Sequence, residues 1–271
     1  MTKERKKMKL KWQIKLLIIV LILFISIYFV GTMGIFIKEY KIETSKIDKG
    51  MHGLKILQFT DIHYGSVNKS KINDLVKKIN SAKPDIVIFT GDLIDEKYKI
   101  SSEEKEWMIK KLTEIKSSLG KYYVAGEEDK NTAISILNLS GFSNLKNQKQ
   151  LIYNNSKKPI FLFDKNTIKL QNDDEIEMDA FKIVALHDPN DIENIKNYKF
   201  DLAISGHTHN GQINIPKIKN LFINGKYYKS YQVVNGSKLY INPGIGTSKF
   251  NIRLFNHPTI YLFRILKTSS S

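Results

Sequence analysis

From residue 51 onward, short apolar runs alternate with stretches of helical spacing. LKILQFT (54–60) is one such run, ending on polar residues, and PDIVIFTGD (84–92) is another. Continuous apolar runs of this length, bounded by turn residues, predict strands buried on both faces. Between them, SKINDLVKKINSAK (70–83) sets Ile72, Leu75, Val76 and Ile79 on one helical face. SSEEKEWMIKKLTEIKSSLG (101–120) opens with serines and early acids and closes on Gly120, which predicts a capped helix. KYYVAG, FKIVALHDP and DLAISGHTH read as three further strands, the last two separated by a helical DIENIKNY. After Gly211 the pattern turns to β in GQINIP, YQVVNG, KLYINPG and TIYLFRIL, and Asn235-Gly236 marks a hairpin. Strands alternating with helices predict a layered α/β domain, and the β-rich tail predicts sheets that face each other with helices outside. Residues 131–180 carry little pattern, and DKNTIKLQNDDEIEMD within them reads as surface hairpin and loop.

The N-terminal stretch follows a different rule. Leu16–Ile37 is 22 residues without a charge, about 33 Å as a helix against a hydrocarbon core of about 30 Å. A secretory signal has a shorter apolar region and a small-residue cleavage site, whereas KEYKIETSK follows here. Residues 16–37 are therefore expected to be one uncleaved transmembrane helix. Lys3, Arg5, Lys6, Lys7, Lys9, Lys11 and Lys15 precede it against a single acid, Glu4. That bias places residues 1–15 on the cytoplasmic side and the rest of the chain outside, as a single-pass protein of the cell membrane. Residues 38–50 read as a polar tether to a domain covering 51–271.

The formal charge is +16, but 40 of the 43 basic residues are lysine. Nucleic-acid surfaces usually draw on arginine, whose planar fork fits phosphates and bases. The balance argues against nucleic acid as a partner and for a solvated surface beside an anionic membrane. The chain has no cysteine, which excludes disulfides, iron–sulfur clusters and thiolate-bound zinc. Any metal must be held by His, Asp, Glu, Asn or water. Nothing in the pattern sets an oligomeric state.

Five of the predicted strands end in groups able to bind metal. TDIH carries Asp61 and His63, GDLID carries Asp92, GEED carries Glu127 and Glu128, ALHDP carries His187, and GHTHNGQ carries His207 and His209. Of the six histidines, four sit at these strand ends beside Gly or Asp. In open α/β sheets, ligands bind beyond the carboxyl ends of the strands. One rim then gathers the whole set, and a donor set of oxygen and nitrogen without thiolate suits Mn, Zn or Fe.

In this order, D-x-H, G-D, a G-x-x-[DE] turn, a lone His and G-H-x-H resemble the calcineurin-like metallophosphoesterases over about residues 54–210. The tail, GHTHNGQINIP through YINPGIGTSKFNIRLFNHPTI, is similar to that of the membrane-anchored bacterial phosphodiesterase branch. The resemblance implies a four-layer α/β/β/α sandwich, here preceded by the transmembrane helix. It implies two divalent metal ions, with Asp61, His63 and His209 on one, His187 and His207 on the other, and Asp92 bridging. It also implies hydrolysis of a phosphodiester or pyrophosphate bond, with lipid-linked and nucleotide phosphoesters among the candidate substrates. The two metals would activate a bridging water and clamp the phosphate.

The turn at 126–129 departs from the family's Gly-Asn-His-[Asp/Glu]. Glu127 stands where an Asn ligates the second metal, and Glu128 stands where a His acts on the transition state or the leaving oxygen. A carboxylate at 127 can still ligate, but it takes the centre's formal charge down by one unit. Glu128 is the catalytic candidate by position, although neighbouring dications would hold a carboxyl ionised and unfit as an acid. A pairing with a lysine such as Lys130 is one outlet for it. Arg253, in NIRLFNHP, is a candidate phosphate contact. The alternative reading is a non-catalytic or weakly active module that binds metal and phosphate.

Overall fold

The computed structural model describes residues 3–146, 148–170, 179–209, 211–212, 214, 225–247 and 253–268. Half of the GQINIP strand expected from Gly211, and the centre of the 164–179 loop, lie outside the described residues.

Helix α1 (Lys3–Thr32) leads into strand β1 (Phe36–Thr44). β2 (Leu54–Phe59), α2 (Lys69–Ala82), β3 (Ile86–Phe89), α3 (Ser102–Thr113), β4 (Lys121–Tyr123), α4 (Asn131–Leu139) and β5 (Phe142–Asn144) follow. The second half holds β6 (Gln150–Ile152), β7 (Ile160–Phe163), β8 (Phe181–Ala185), β9 (Leu202–Ser205), β10 (Tyr231–Val234), β11 (Ser237–Ile241) and β12 (Thr259–Lys267). They make two six-stranded sheets, ordered β1-β12-β2-β3-β4-β5 and β10-β11-β9-β8-β7-β6.

Alternation along the central strands separates two apolar layers. Leu57, Phe59, Val87, Phe89, Ile260 and Leu262 face α2, α3 and α4. Their neighbours Ile56, Ile86, Ile88, Tyr261 and Phe263 face the second sheet. Strands buried on both sides show no period of two in hydrophobicity, so the sequence runs look continuous. A third layer, with Phe161, Phe163, Ile168, Ile192 and Ile195, closes the outer face of the second sheet. Among the described residues it is covered by 3₁₀ turns, Thr167–Leu170 and Pro189–Asn194, and not by an α-helix. The helix expected over DIENIKNY is therefore corrected to a 3₁₀ turn. Pro189 opens it and the Asp188 side chain accepts from Asn190 N, a start that does not propagate.

The helix expected over 101–120 begins with the Ser101/Glu104 capping box but stops at Thr113. Asn80 of α2 ends it by donating to Glu114 O at 2.9 Å and accepting from Lys116 N at 2.9 Å. The hairpin at Asn235-Gly236 forms as the sequence predicts, with both residues at positive φ and β10 antiparallel to β11.

The N-terminal expectations change most. Helix α1 ends at Thr32, and Phe36 and Ile37, taken as the end of the apolar span, already belong to β1. Residues 38–44, expected as tether, are the edge strand of the first sheet, in parallel register with β12 from Phe36↔Thr259 to Thr44↔Lys267. Lys38, Glu39, Lys41 and Glu43 hide this in the sequence; the buried Ile42 and half-buried Tyr40 are its inward face. Lys71 fastens the exit of α1 by donating to Thr32 O at 2.7 Å and Gly34 O at 2.6 Å. Among the described residues no helix is long and apolar enough to cross a membrane.

The interface between the sheets is the largest test of this architecture. Phe263 is fully buried, with ring contacts to Tyr40 at 5.7 Å and, across the interface, to Tyr240 at 5.1 Å. Phe263→Ala is expected to cost about 3–5 kcal/mol in chemical denaturation. Leu139→Ala, at an exposed position, should stay within about 0.5 kcal/mol.

Candidate metal centre

The ends of β2, β3, β8 and β9, with the turn after β4, meet on one rim. The backbone there is unusual. Asp61, His63, Asp92, His207 and His209 all have positive φ, between 46° and 65°. Residues with a Cβ avoid this region, so five such positions on one rim mark strain held by their surroundings. Each reversal turns a strand-end side chain back over the edge of the sheet. Two glycines make the close approach feasible. A Cβ on Gly91 would collide with His187 and Gly126, and one on Gly206 with Thr60 and Asp61.

Two adjoining groups of donor atoms result. Asp61, His63 and His209 form one, and Asp92, Glu127, His187 and His207 the other, with the atoms of each group within 4.8 Å of one another. A third group, of His63, Asp95 and Glu128, lies behind His63. Asp92 Oδ2 stands between the groups, 3.8 Å from His63 Nε2 and 3.3 Å from His187 Nε2. This is the place the family resemblance implies for a bridging carboxylate. All seven expected ligands are thus together. A donor set of carboxylate oxygen and imidazole nitrogen fits divalent cations such as Mn²⁺, Zn²⁺ or Fe²⁺.

The surroundings orient these groups. His187 Nδ1 is 2.7 Å from Thr90 O, which can only accept, so Nδ1 carries a hydrogen and Nε2 faces the cluster. Both oxygens of Asp61 accept from His207 N, at 3.0 and 3.1 Å. Asn256 donates to His209 O at 2.5 Å and Gly211 O at 3.0 Å, holding the H-x-H loop. Sequence reasoning missed Asn256, whose only signal is its place in NIRLFNHP.

Glu127 makes the closest contacts, 2.8 Å from His187 Nε2 and 2.8 Å from His207 Nδ1. It is part of the cluster and not a solvated turn residue. Burial alone would push its carboxyl up, but the two imidazoles outweigh it and hold the group well below the usual range. The partners respond in kind. Burial opposes a charge on His187, yet Asp92 and Glu127 raise it well above an ordinary histidine, and Glu127 raises His207 despite burial. His209 goes the other way, pushed well below its usual value by burial and then by His63 and Arg253. Burial also raises Asp61.

Two expected catalytic residues lie elsewhere than predicted. Arg253 is 1% exposed, at the base of a pocket it lines with Lys71, Asn68 and Thr247. Its guanidinium donates to the carbonyls of Gly246, Pro243 (2.8 Å) and Asn256 (3.3 Å) and reaches His209 Nδ1 at 3.3 Å. The role as phosphate contact is corrected to a buried brace behind His209. Glu128 pairs with His63 Nδ1 at 3.0 Å rather than with Lys130, and the imidazole ring stands between it and the donor groups. The leaving-group role is corrected accordingly. The third acid of the turn, Asp129, is structural: it accepts from Asp92 N, Leu93 N and Gly126 N at 2.8–2.9 Å.

The sequence matches the family described as calcineurin-like phosphoesterase over residues 54–211. It is similar to the uncharacterized metallophosphoesterase YkuE of Bacillus subtilis (strain 168), 28% identical over 254 residues that cover 85% of each chain. YkoQ of the same organism is 26% identical over 250 residues, covering 84% of this chain and 91% of the relative. A Danio rerio protein named transmembrane protein with metallophosphoesterase domain is 25% identical over 251 residues, 82% of this chain and 55% of its own.

Protons bind His187 and His207 more readily than an ordinary histidine in the metal-free chain, so a cation entering their group competes with them. Affinity for that group should fall as pH drops from 8 to 6. Calorimetry in buffers of different protonation enthalpy should register proton release; heats independent of buffer would contradict it.

Proposed function

The chain belongs to the calcineurin-like phosphoesterase family, and on that premise we propose that it hydrolyses a phosphodiester or pyrophosphate bond at two divalent cations, from the outer face of the cell membrane. One observation carries the reading. Seven side chains from four strand ends and one turn bring their donor atoms into two adjoining groups that share Asp92.

Two cations bound there supply Lewis acidity toward a phosphoryl oxygen and toward water. The chain's own residues do the rest. Asp61, His63 and His209 would hold the first ion, Glu127, His187 and His207 the second, and Asp92 both. Asp61, His63, Asp92 and His209 are all under 5% exposed, so bulk water does not compete for their donor atoms. Glu127 and His207, at 56% and 34% side-chain exposure, form the open side through which a phosphate would enter. Glu127 in place of an amide binds the second ion more strongly and draws an anionic substrate less.

Membrane attachment is supported by the uncharged run from Leu16 to Ile37 behind a basic N-terminus. In the structure, α1 presents Leu16, Leu17, Ile18, Ile19, Val20 and their successors to Ile25 on all sides, each more than 45% exposed. A helix apolar all round finds its partner in lipid. The name of the Danio rerio relative is in keeping with this. Protease added outside intact cells should digest residues beyond 51 and spare the N-terminus; the reverse pattern would overturn the orientation.

For the activity, bis(4-nitrophenyl) phosphate with Mn²⁺ is the first assay. Release of nitrophenol that stops with chelator and in Asp92→Asn is expected. A silent native chain that gains turnover as Glu127→Asn/Glu128→His would instead make it a binding module. Glu127→Asn alone should weaken the second ion, and unchanged affinity would remove Glu127 from the coordination shell.

A further inference from the structure

Like Asp129, Glu128 keeps its carboxylate out of both donor groups around Asp92, but it reaches a ligand side chain and not the main chain alone. One of its oxygens, Oε2, accepts twice, from Glu96 N at 2.9 Å and from His63 Nδ1 at 3.0 Å. A carboxylate only accepts, so the His63 hydrogen sits on Nδ1. In the neutral ring the lone pair is then on Nε2, which faces His209 Nε2 at 3.2 Å, Asp92 Oδ2 at 3.8 Å and Asp61 Oδ1 at 4.0 Å. The ring itself is 1% exposed, so no bulk water is at hand to replace Glu128 as acceptor.

We infer that Glu128 is a positioning residue for the first cation. It selects the His63 tautomer that can ligate, fixes the rotation of the ring, and so sets the affinity of the Asp61–His63–His209 group. The inference rests on the two-cation reading given above. An acceptor behind a ligating histidine keeps its tautomer and raises its basicity, and losing one costs about 10–100-fold in metal affinity. The main chain makes the assignment clean to test. Glu128 N donates to Asp92 Oδ1 at 3.1 Å, and that grip on the shared carboxylate survives any change of side chain. The turn thus acts on the two groups differently: Glu127 enters the second, and Glu128 steadies the first from behind.

Two substitutions separate hydrogen bonding from charge. Glu128→Gln keeps an acceptor oxygen for His63 and Glu96 but loses the charge, whereas Glu128→Ala loses both. In the full-length chain in detergent, Mn²⁺ titration should show one of two sites weakened about 10–100-fold in Glu128→Ala, with the other unchanged and Glu128→Gln close to wild type. In a His63→Ala background, Glu128→Ala should add no further loss. Equal affinities in wild type and Glu128→Ala, an additive loss in the His63→Ala background, or a Glu128→Gln as weak as Glu128→Ala would each overturn the role. Nitrogen NMR of the metal-free protein with labelled histidine, recorded across a pH series up to where the His63 ring is neutral, reads the tautomer without any metal. The Nδ1–H form of His63 in wild type and Glu128→Gln, lost in Glu128→Ala, supports the inference, and an unchanged spectrum in Glu128→Ala overturns it. A wild-type chain that takes up no Mn²⁺ defeats the two-cation reading, and the nitrogen spectra still decide the placement of the hydrogen. If Glu128→Ala fails to fold, the Gln variant carries the comparison: an altered tautomer there overturns the role, and a retained one supports it.

Discussion

Everything at the rim depends on Asp92 being shared. Its carboxylate is the contact point of two donor groups, each drawn from both sheets: His209, following β9, joins Asp61 and His63, and His187 and His207 join Asp92 and Glu127. Without a common counter-charge such a cluster is costly. Three carboxylates and four imidazoles crowd a poorly solvated space, where like charges a few ångströms apart repel by several kcal/mol. The metal-free chain relieves this by pairing Glu127 with two imidazoles and by keeping His209 neutral. The relief is local, and the backbone still bears left-handed turns at five of the seven positions. A fold that holds such an arrangement is built around what the arrangement receives.

Much of this is legible in the chain because the information is local. A strand ending in D-x-H or G-H-x-H announces its chemistry where hydrophobic run meets polar cluster, and the order of these ends carries the family likeness. Strand existence is equally plain wherever a run is apolar or nearly so, as in β3 and β9 throughout and in β2 and β8 but for Lys55, Gln58 and Lys182. What escaped is set by partners far off in sequence. β1 looks like a tether because its outward residues are charged; only β12, more than two hundred residues on, makes it a strand. β5, β6 and β7 are three or four residues long, too short to show a period. The end of α3 is decided by one asparagine of α2. Arg253 reads as a candidate phosphate contact and Asn256 carries no signal of its own; their place behind His209 could be learned only from the packed fold.

The Glu-Glu-Asp turn shows how three acids in a row divide their labour. Adjacent side chains in a turn point in different directions, so Glu127 reaches the open side, Glu128 the back of His63, and Asp129 the main chain beneath Asp92. Read as composition they are one negative patch. Read as geometry they are a donor to the cluster, an acceptor behind it, and a clamp below it. The departure from an amide and an imidazole at these positions therefore alters charge and proton placement while leaving the scaffold of the turn intact.

The parallel pairing of β1 with β12 has a mechanical consequence. Only Met33, Gly34 and Ile35 separate the last residue of α1 from the first residue of the sheet, and Lys71 ties down the junction. A flexible leash would let the rim sweep through a hemisphere and meet dissolved molecules at any height. With α1 held in a membrane as proposed above, a sheet that starts where the helix stops would have almost no such radius, and its reach would be a shallow layer whose depth is set by the body of the domain itself.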